Sequence, residues 1–491
     1  MEFINQDTFA RGDIATILDL TSRDGQDDTL YPLTSETTLF TVSRDKKPLR
    51  TTPAMQRIGP RGPTTFGSKC VFDLQSSLLP DMIHNVSLQI NLEHWIPTSI
   101  RAKIDDGTYT WPTNINNVWE YTNALGMSII EEAAFEIGDT TIEKINAEYI
   151  AAHLYTMENI GHQVAIANDA IGLTPTYNQS KRITPQLFST ENGIITCMLP
   201  FFFSRNGTQS AFPLVSCKDN DVRIIIKLRP FEQLVRQFQG YRNSCDSMPQ
   251  GTQQIFMQGD SEVTVNIGDS IPSFKDCNLI IYGQHIDTVQ REKYIKYPHE
   301  IIYKQLYINT FSEPLQYSTI TTGTRYNDSI QFLLPLEMNG PIEDIIWVLR
   351  RKAVVLNNDW TSFGPILQTD YIKYNTNKTD SFEDPIINAK ILLNGMELVK
   401  KSGEEFRTMQ TASTSASANN WVYSYSMKPG HINTSKLQSI QLNLTVKNTL
   451  PLSGNINKAG FNELNGWEVF VFTNAINWLR FENKIVGRIF Q

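Results

Sequence analysis

The strict alternation of apolar and polar residues at positions 440–447 constrains the fold of this chain more than any other feature. Every even-numbered residue from Ile440 to Val446 is apolar, and the residues between them and Lys447 are polar. This is the period of a β-strand with one buried face and one exposed face. A short loop containing Pro, Gly and Asn separates it from an aromatic strand that begins at Tyr423. Such a connection predicts antiparallel β-sheet and not an α/β core.

Other segments of the chain carry similar strand and turn signals. Alternation predicts strands at 86–93 and 222–229. Of five Asn-Gly dipeptides, Asn394-Gly395 lies between two apolar segments and predicts a two-residue hairpin turn. Many short strands without an alternating β-α rhythm predict an all-β protein built from sandwiches or jelly rolls.

Two short helices are predicted as insertions between these strands. Residues 146–161 have helical composition, with Asn146 as the N-cap and Gly161 as the terminating residue. Residues 230–240 begin with Pro and end with Gly, an asymmetry typical of short helices.

The size and charge of the chain limit the classes of protein to which it can belong. A length of 491 residues exceeds what one hydrophobic core usually holds, which predicts two domains. Charged residues make up 19% of the chain and aromatic residues 10%, a balance that favours a β-rich protein with much surface covered by neighbours. The net charge of -8 argues against direct nucleic-acid binding, because phosphate neutralisation requires a basic surface.

Cysteine usage and the N-terminal residues predict a soluble protein with reduced, intracellular thiols. The five cysteines are odd in number and lack a Cys-x-x-Cys pair: Cys70, Cys197, Cys217, Cys245 and Cys277. This spacing favours neither a disulfide framework nor a zinc site. We expect no signal peptide, because the first residues lack basic and apolar regions, and no membrane span, because no apolar window approaches ~18 residues.

The two halves of the chain are faintly similar in sequence. Residues 198–201 and 334–336 are each followed by an Asn-Gly dipeptide and then an apolar strand. The similarity fits two copies of one β-module without establishing a repeat. A charged stretch near residue 290, ahead of Pro298, places the domain boundary there.

The sign of the charge changes abruptly in the N-terminal region. The first 43 residues carry eight acidic residues against two arginines, and this arm either orders against a partner or is disordered. Six basic residues follow within eighteen positions: Arg44, Lys46, Lys47, Arg50, Arg57 and Arg61. They form either a solvated loop or an interior-facing contact with an acidic partner or anionic lipid.

No arrangement of residues typical of an enzyme occurs in the sequence. The chain lacks P-loop, dinucleotide-binding, nucleophile-elbow and His-Glu-x-x-His motifs. His153 and His162 are too far apart for a helical metal pair and are interpreted as packing or surface residues. Glu131 and Glu132 are predicted to face opposite sides of a strand, so they cannot flank one glycosidic bond. We therefore predict no catalytic residues, no metal and no cofactor.

Two further groups each admit an ordinary and a functional interpretation. A basic triplet follows the strand predicted at 345–349: Arg350, Arg351 and Lys352. These residues are expected as strand-end charges facing water or as a contact with an acidic neighbouring subunit. Three tryptophans lie close in sequence: Trp95, Trp111 and Trp119. They are expected to pack in the core or in loops, or to form a sugar-binding platform.

Ordered sequence blocks across both halves resemble the double jelly-roll major capsid proteins of nucleocytoplasmic large DNA viruses. The blocks that carry the resemblance are 38–44, 67–74, 79–88, 121–130, 135–138, 199–207, 212–215, 221–224, 291–294, 299–306, 393–395, 423–429 and 475–481. Each block is weak alone, but their order and spacing make the resemblance specific. The chain departs from the family pattern after Pro429 and in its longer acidic arm.

This resemblance implies two consecutive eight-stranded antiparallel jelly rolls with short helical insertions. It further implies a pseudo-hexameric homotrimer, with six β-barrels around its axis, that forms the capsomers of an icosahedral virion shell. Expected partners are neighbouring capsomers, together with minor capsid proteins and an internal membrane on the inner face; assembly is expected in the host cytoplasm. The implied division is an acidic arm at 1–37, a first roll at 38–289, a linker at 290–298 and a second roll at 299–491.

Two other functions stay open on the sequence alone. One is an assembly scaffold of the same double jelly-roll type, which shapes a membrane and is then discarded. The other is a glycan-binding or glycan-cleaving β-sandwich. Mass spectrometry of mature particles separates shell from scaffold, and a glycan-array screen tests the third hypothesis.

Overall fold

A computed structural model describes most of the chain from Thr51 onward. The residues described are 51–75, 79–93, 98–110, 119–122, 124–156, 193–205, 210–217, 220–237, 253–266, 273–314, 317–320, 323–326, 329–356, 358, 360–361, 363, 384–408, 421–428, 430–447, 466–482 and 485–489. The acidic arm and the basic residues at 44–50 lie outside the described residues.

Strands dominate the described residues of both halves. The first half contains β1 (Thr51–Ile58), β2 (Lys69–Asp73), β3 (Met82–Leu92), β4 (Trp119–Tyr121), β5 (Ile130–Ile137), β6 (Thr140–Asn146), β7 (Ile194–Met198), β8 (Phe212–Pro213), β9 (Val222–Leu228), β10 (Val235–Gln237), β11 (Gln253–Gln258), β12 (Ser261–Asn266) and β13 (Phe274–Ile286). The second half contains β14 (His299–Glu313), β15 (Tyr317–Ile320), β16 (Gly323–Tyr326), β17 (Ser329–Pro335), β18 (Pro341–Arg351), β19 (Ile386–Leu393), β20 (Met396–Lys401), β21 (Val422–Ser426), β22 (Ile432–Asn433), β23 (Ile440–Lys447), β24 (Trp467–Glu482) and β25 (Ile485–Arg488).

The helices among the described residues are short. The α-helices are α1 (Thr98–Asp105), α2 (Leu125–Ser128), α3 (Ala147–Tyr155), α4 (Thr288–Lys296) and α5 (Gly403–Thr408). Single turns of 3-10 helix occur at Leu214–Cys217, Phe231–Gln233 and Lys352–Leu356. In the part of the chain that the structure describes, none of the helices has the length and apolar character needed to cross a membrane.

The two halves share one sheet topology. In the first half, a sheet with the order β1-β13-β3-β7 faces a sheet with the order β2-β9-β5-β6. The corresponding orders in the second half are β14-β24-β18-β21 and β17-β23-β19-β20. Counted in chain order along these paths, both halves read 1-8-3-6 and 2-7-4-5, the arrangement of a jelly roll. The predicted all-β double jelly-roll fold is thus confirmed, and the halves are called the first roll and the second roll below.

Strand β23 has the alternating burial that its sequence predicts. Its even-numbered residues pack in the core of the second roll, and its odd-numbered residues are half-buried on the other face. Strand β23 pairs with β17 and β19, whereas the aromatic strand β21 pairs with β18 in the facing sheet. The Pro- and Gly-containing loop between β21 and β23 therefore crosses from one sheet to the other and does not form a hairpin.

The predicted hairpin at Asn394-Gly395 joins β19 to β20. Both residues have positive φ, 49° and 80°, as a two-residue turn of this kind requires. The Asn394 side-chain oxygen also accepts hydrogen bonds from the backbone N–H groups of Gln438 and Ser439, at 2.8 and 3.0 Å. These bonds hold the turn against the residues that directly precede β23.

In each roll, the fifth strand in chain order, β6 or β20, leads directly into a helix with a side-chain cap at its N-terminus. The Asn146 side chain accepts a hydrogen bond from the backbone N–H of Tyr149 at 2.9 Å, which confirms the predicted N-cap of α3. Before α5, the Ser402 backbone N–H donates to Glu405 at 2.8 Å and the Glu405 backbone N–H donates to Ser402 Oγ at 3.2 Å. This reciprocal pair is a capping box, and it satisfies two N–H groups that a short helix would leave open.

The helix predicted at 230–240 is wrong. The structure has a single 3-10 turn at Phe231–Gln233, followed by β10, which pairs with β4. Pro at the start fits either structure, but Phe231, Leu234 and Val235 are all buried. Burial of these closely spaced residues favours an extended segment that can pair with a neighbouring strand.

The true correspondence between the rolls differs from the one suggested by sequence. Residues 334–336 lie at the end of the second strand of their roll, whereas residues 198–201 begin at the end of the sixth, so these two segments are not equivalent. The topological equivalent of β7 is β21, and a Met-x-Pro sequence begins at the last residue of β7 and directly after β21. The short strands after them, β8 and β22, pair with the starts of β3 and β18.

Candidate functional site: the contact between the two rolls

The second roll uses both faces of the sheet that contains β18 and β24. On one face, Trp347 and Val469 pack in the core of the second roll. On the other face, Val348, Phe470 and Phe472 pack in a core that is continuous with the first roll. Strands buried on both faces have near-continuous apolar sequences, and β18 and β24 show this pattern. The near-continuous apolar sequences of β18 and β24 are thus a sequence signal for a sheet that is covered on both faces.

Aromatic side chains of the first roll cover this second face. Tyr149 of α3 lies 5.2 Å from Phe472 between ring centroids. Phe202, in the segment after β7, lies 5.0 Å from Tyr303 of β14 in an edge-to-face arrangement. Such pairs stabilise a contact beyond the area that they bury, by about 1 kcal/mol each. The two rolls therefore join through a packed aromatic layer and not through a flexible linker.

Arg350 lies at the centre of a buried ion-pair network across this contact. Its Nη1 lies 2.6 Å from the Glu148 carboxylate of the first roll, and its Nη2 lies 2.7 Å from Glu468 on the neighbouring strand. Arg229 of the first roll approaches Glu148 at 3.5 Å and stacks on Trp360 at 4.2 Å. Burial alone would raise the pKa of Glu148, but Arg350 and Arg229 outweigh it and hold the pKa below its usual value. Glu148 is thus a buried anion held by two cations.

A second buried arginine also bonds the two rolls, but this one belongs to the first roll and reaches into the second. Arg205, which follows β7, pairs with Glu143 of the first roll at 2.5 Å. The same guanidinium donates to the Lys304 carbonyl at 3.0 Å and to the Asn474 side chain at 3.4 Å, both in the second roll. Glu143 in turn accepts a hydrogen bond from the Phe202 backbone N–H at 2.6 Å. These bonds set the position of the aromatic segment against β14 and β24.

A third contact explains the failure of the helix prediction at 230–240. Asn358 of the second roll donates to the carbonyls of Val235 and Glu232 at 2.6 and 3.0 Å, and Trp360 donates to the carbonyl of Gln233 at 2.7 Å. An α-helix would direct these carbonyls along its own axis. The irregular segment instead offers them to the other roll.

The predicted solvent-facing role of the basic triplet is wrong for two of its members. Arg350 and Arg351 are both buried, and Lys352 begins a 3-10 turn. Arg351 stacks on Trp467 with 3.5 Å between its guanidinium carbon and the ring centroid, and burial lowers its pKa well below the usual value. A strand-end position suggested exposure, but the first roll covers Arg350, and Arg351 lies on the opposite face against Trp467 of the second-roll core.

The remaining candidates have structural partners where they are described. Glu131 pairs with Lys227 at 2.7 Å and Glu132 with Lys144 at 2.6 Å, next to an irregularity in strand register. Strict alternation of side chains fails at such an irregularity, so the strand period does not decide which way each carboxylate points. Each of the two carboxylates forms an ion pair with a lysine, which is an ordinary structural role. Arg61 forms an exposed pair with Asp73 at 3.4 Å.

Several sequence candidates cannot be placed. His162, Trp95 and Trp111 lie outside the described residues, and Trp119 is described only as part of the backbone of β4. Among the residues that are described, no group of three or more His, Cys, Asp or Glu is arranged to hold a metal ion.

His153 is a packing residue beside the contact between the rolls. Its ring lies 6.0 Å from that of Tyr149 on the same helix, one turn away. Burial, assisted by the nearby charge of Arg205, lowers the pKa of His153 from 6.5 to about 4. The folded protein therefore holds this imidazole neutral.

Replacing Arg350 with Met is expected to lower the free energy of unfolding by about 3–5 kcal/mol, because it removes the nearest cation from the buried carboxylate of Glu148. Urea denaturation measures this loss. The matched control is Arg480→Met in the same sheet, where the arginine is 53% exposed and pairs with exposed carboxylates. We expect a change below about 1 kcal/mol there. Equal effects of the two substitutions would contradict the assignment of the network.

Acid is expected to destabilise the protein partly through His153. The folded state binds its proton only near pH 4, whereas the unfolded state binds it near pH 6.5. The contribution of neutral His153 to stability is therefore fully present above pH 6.5 and is lost as the pH drops toward 4, by about 3 kcal/mol in total. In His153→Gln that portion of the pH dependence should disappear from denaturation curves. If the unfolding free energy of His153→Gln depends on pH between 7 and 4 as steeply as that of the wild-type protein, this role of His153 is ruled out.

Two family models match the chain, one for each roll. The family described as "Major capsid protein N-terminus" matches residues 51–255. The family described as "Large eukaryotic DNA virus major capsid protein" matches residues 290–487. The matched residues together span most of the chain.

Curated relatives with detectable sequence similarity are also capsid proteins. The chain is 21% identical to "Capsid protein 1" of Acanthamoeba polyphaga mimivirus over 58% of its own length. It is 30% identical to the "Major capsid protein" of Rana tigrina ranavirus over 27% of its length. These alignments span 40% and 26% of the two relatives, so the chain spans less than half the length of each.

Solved capsid structures resemble the chain over nearly its whole length. PBCV-1 VP54, fitted into a reconstruction of the virophage Sputnik, has a TM-score of 0.60 at 16% identity, and the alignment covers 92% of this chain and 100% of VP54. The Faustovirus major capsid protein has a TM-score of 0.55 at 11% identity, with 97% and 98% covered. These likenesses concern the fold. Since that fold and the family models for both rolls agree, the chain belongs to the major capsid proteins of large eukaryotic DNA viruses.

Proposed function

We propose that three copies of this chain form a closed ring of six jelly rolls, the capsomer of an icosahedral virion shell. The observation that carries the proposal is the contact between the rolls within one chain. It joins two different surfaces: the outer face of one sheet of the second roll, and α3 with the segment after β7 of the first roll. A contact between unlike surfaces can repeat from roll to roll and close into a ring.

Each roll carries a counterpart of the surface that the other roll uses. The first roll has the equivalent sheet, β1-β13-β3-β7. The second roll has the equivalent covering elements, since α5 follows its fifth strand and a Met-x-Pro segment follows its sixth. A second copy could therefore place its α5 side against the first-roll sheet of its neighbour. Three such contacts, alternating with three contacts within chains, make a pseudo-sixfold ring with true threefold symmetry.

The outer face of the first-roll sheet has apolar residues suited to this contact. Met55 of β1 pairs in register with Tyr282 of β13, and the two residues lie on the face opposite the core. Ile194 of β7 lies on the same face and is 38% exposed. Exposed apolar side chains on a sheet face are typical of surfaces that bind another protein.

In size-exclusion chromatography with light scattering, the purified protein is expected to have three times the mass of one chain. Ile194→Glu should weaken the trimer, because it places a charge in the proposed interface at a position exposed in the isolated chain. The matched control is Leu333→Glu, at a position 67% exposed on the outer face of the other sheet of the second roll. A monomeric wild-type protein, or a trimer disrupted by Leu333→Glu and not by Ile194→Glu, would contradict the proposal.

The ring outline also supports a role in a shell. A pseudo-hexagonal capsomer can tile a lattice of sixfold neighbours although its true symmetry is threefold. We propose that capsomers contact one another through their outer edges in the virion, that particles assemble in the host cytoplasm, and that the protein's role is structural and not catalytic. The division at 290–298 is part of this proposal; β13 ends at Ile286, β14 begins at His299, and α4 fills the interval.

We further propose that the acidic arm at 1–37 and the basic residues up to Arg61 face the particle interior, where they contact minor capsid proteins or an internal membrane. The support is the reversal of charge along this segment. Deletion of residues 1–35 is expected to leave trimers intact and to reduce the yield of closed particles, counted by electron microscopy of infected or co-expressing cells. A variant that keeps the arm's length but replaces Asp24, Asp27 and Asp28 with Asn separates charge from length. Normal particle yield after the deletion would refute the proposal.

A further inference from the structure

Exposed apolar side chains are concentrated at the end of the molecule where the first roll leads into the second. Ten large apolar side chains are exposed among the described residues, and half of them lie between β13 and β14, in β14, or in the segment that begins with β25. These five have exposures between 36% and 66%: Val289, Tyr297, Ile302, Ile485 and Ile489. Single exposed apolar residues are ordinary, but such a concentration marks a binding surface. It is called the junction surface below.

The segments that carry the junction surface meet at one 3-10 turn, Leu214–Cys217. Ser216 Oγ donates to the Tyr294 carbonyl of α4 at 3.1 Å and lies 3.3 Å from His299 Nε2 at the start of β14. The His299 ring stacks on Phe481 of β24, with 4.8 Å between centroids, just before the hairpin to β25. Strand β25 also lies against the same turn. Helix α4, β14 and β25 therefore form one continuous end of the molecule.

Helix α4 lies on the outside of this end, because none of its nine residues is buried. A helix of this length is marginal in water and normally depends on packing of an apolar face. One anchor of α4 is polar, since Arg291 Nε lies 3.1 Å from the buried carboxylate of Asp81. Val289 in the helix and Tyr297 just after it are 62% and 66% exposed. The apolar side chains of this segment thus point outward.

Three isoleucines share one face of the neighbouring sheet end. Ile302 of β14 pairs with Trp478 of β24, and the Ile489 backbone N–H donates to the Trp478 carbonyl at 3.1 Å from the other side. Residues directly opposite in antiparallel strands have side chains on the same face. Ile485 pairs with Glu482, which lies an even number of positions from Trp478, so Ile485 is on this face as well.

Basic residues lie beside these apolar side chains. Lys293 and Lys296 of α4 are exposed, and Lys296 has one described acidic partner, Glu292, at 2.8 Å. Strand β1 begins at Thr51, opposite Ile286 at the start of the junction. The sequence immediately ahead of β1 adds four basic residues: Arg44, Lys46, Lys47 and Arg50. Cations next to exposed apolar side chains are the combination with which proteins bind the surface of an anionic bilayer.

We propose that the junction surface binds a bilayer that contains anionic lipid. Val289, Tyr297 and the three isoleucines enter the boundary between headgroups and acyl chains, where Tyr is favoured, and the lysines contact lipid phosphates. The apolar side chains stand on a helix, a strand and a hairpin, and a fluid bilayer adapts to separated side chains more readily than a folded protein does. One folded chain suffices for this binding, so the inference goes beyond the proposed capsomer and does not require it.

The test is flotation of the purified full-length protein with vesicles of phosphatidylcholine, alone or with about 30% phosphatidylserine. We expect flotation with the anionic vesicles, a much smaller floated fraction without phosphatidylserine, and a clear decrease at about 0.5 M NaCl, because salt screens the lysines. Joint substitution of Val289→Ser and Tyr297→Ser should lower the floated fraction at least about fivefold, since membrane affinity follows the apolar area inserted. The matched control, Leu333→Ser, removes an exposed apolar side chain elsewhere and should have no effect.

Deletion of residues 1–35 separates the junction surface from the acidic arm, and this variant should float at least as well as the wild type. The proposal is overturned if the wild type does not float with anionic vesicles, which would favour a protein partner, or floats equally with both kinds. It is also overturned if the joint substitution has no effect or if the deletion abolishes flotation. Light scattering on the same samples gives the oligomeric mass, so a monomer that floats would contradict the capsomer and support the lipid contact.

Discussion

The ion pair between Arg350 and Glu148 couples the two rolls at a buried position where neither charge is stable alone. An ionised side chain out of water needs a partner of opposite charge, and here each roll supplies the partner that the other lacks. Glu468 and Arg229 complete the network. The aromatic layer around it contributes buried area, but apolar contacts tolerate small shifts. The charged contacts do not, and they therefore define one arrangement of the rolls relative to each other.

The shared topology of the rolls conceals a difference in how their sheets are used. In the second roll, β18 and β24 serve two cores at once, with alternate residues assigned to each. In the first roll, the corresponding sheet keeps a more ordinary pattern, with one face in the core and an outer face that includes Met55 and Ile194. The two rolls thus have the same strand order, and they differ in whether the outer face of this sheet is buried within the chain.

Strand periodicity and turn chemistry predicted the fold well because both are local. The alternation at 440–447, the hairpin at Asn394-Gly395 and the N-cap at Asn146 each depend on a few neighbouring residues. The failures came from contacts distant in sequence. The segment at 230–240 is not helical because its carbonyls bind Asn358 and Trp360, and Arg350 is buried because α3, about two hundred positions earlier, packs over it.

One sequence feature indicates that the second roll has a further buried surface. The apolar residues of β24 are too continuous for a strand with one solvent-exposed face, and aromatic residues lie on both faces of the strand. A single sequence can reveal that such a strand is buried twice, but not what covers it. The identity of the covering elements, α3 and the segment after β7, depends on the three-dimensional arrangement of residues that no local pattern encodes.

The position of β24 in the sequence has a consequence for synthesis on the ribosome. This strand follows every other long strand of the chain, yet it lies between β14 and β18 and contributes Phe470 and Phe472 to the core shared with the first roll. The first roll emerges early and must wait with Tyr149 and Phe202 uncovered. A nascent chain that ends before β24 would leave aromatic surface of both halves exposed to solvent. Chaperones and proteases act on chains with such exposed apolar surface. Translation to completion is thereby a condition for escape from quality control, so that truncated products are kept from joining intact ones.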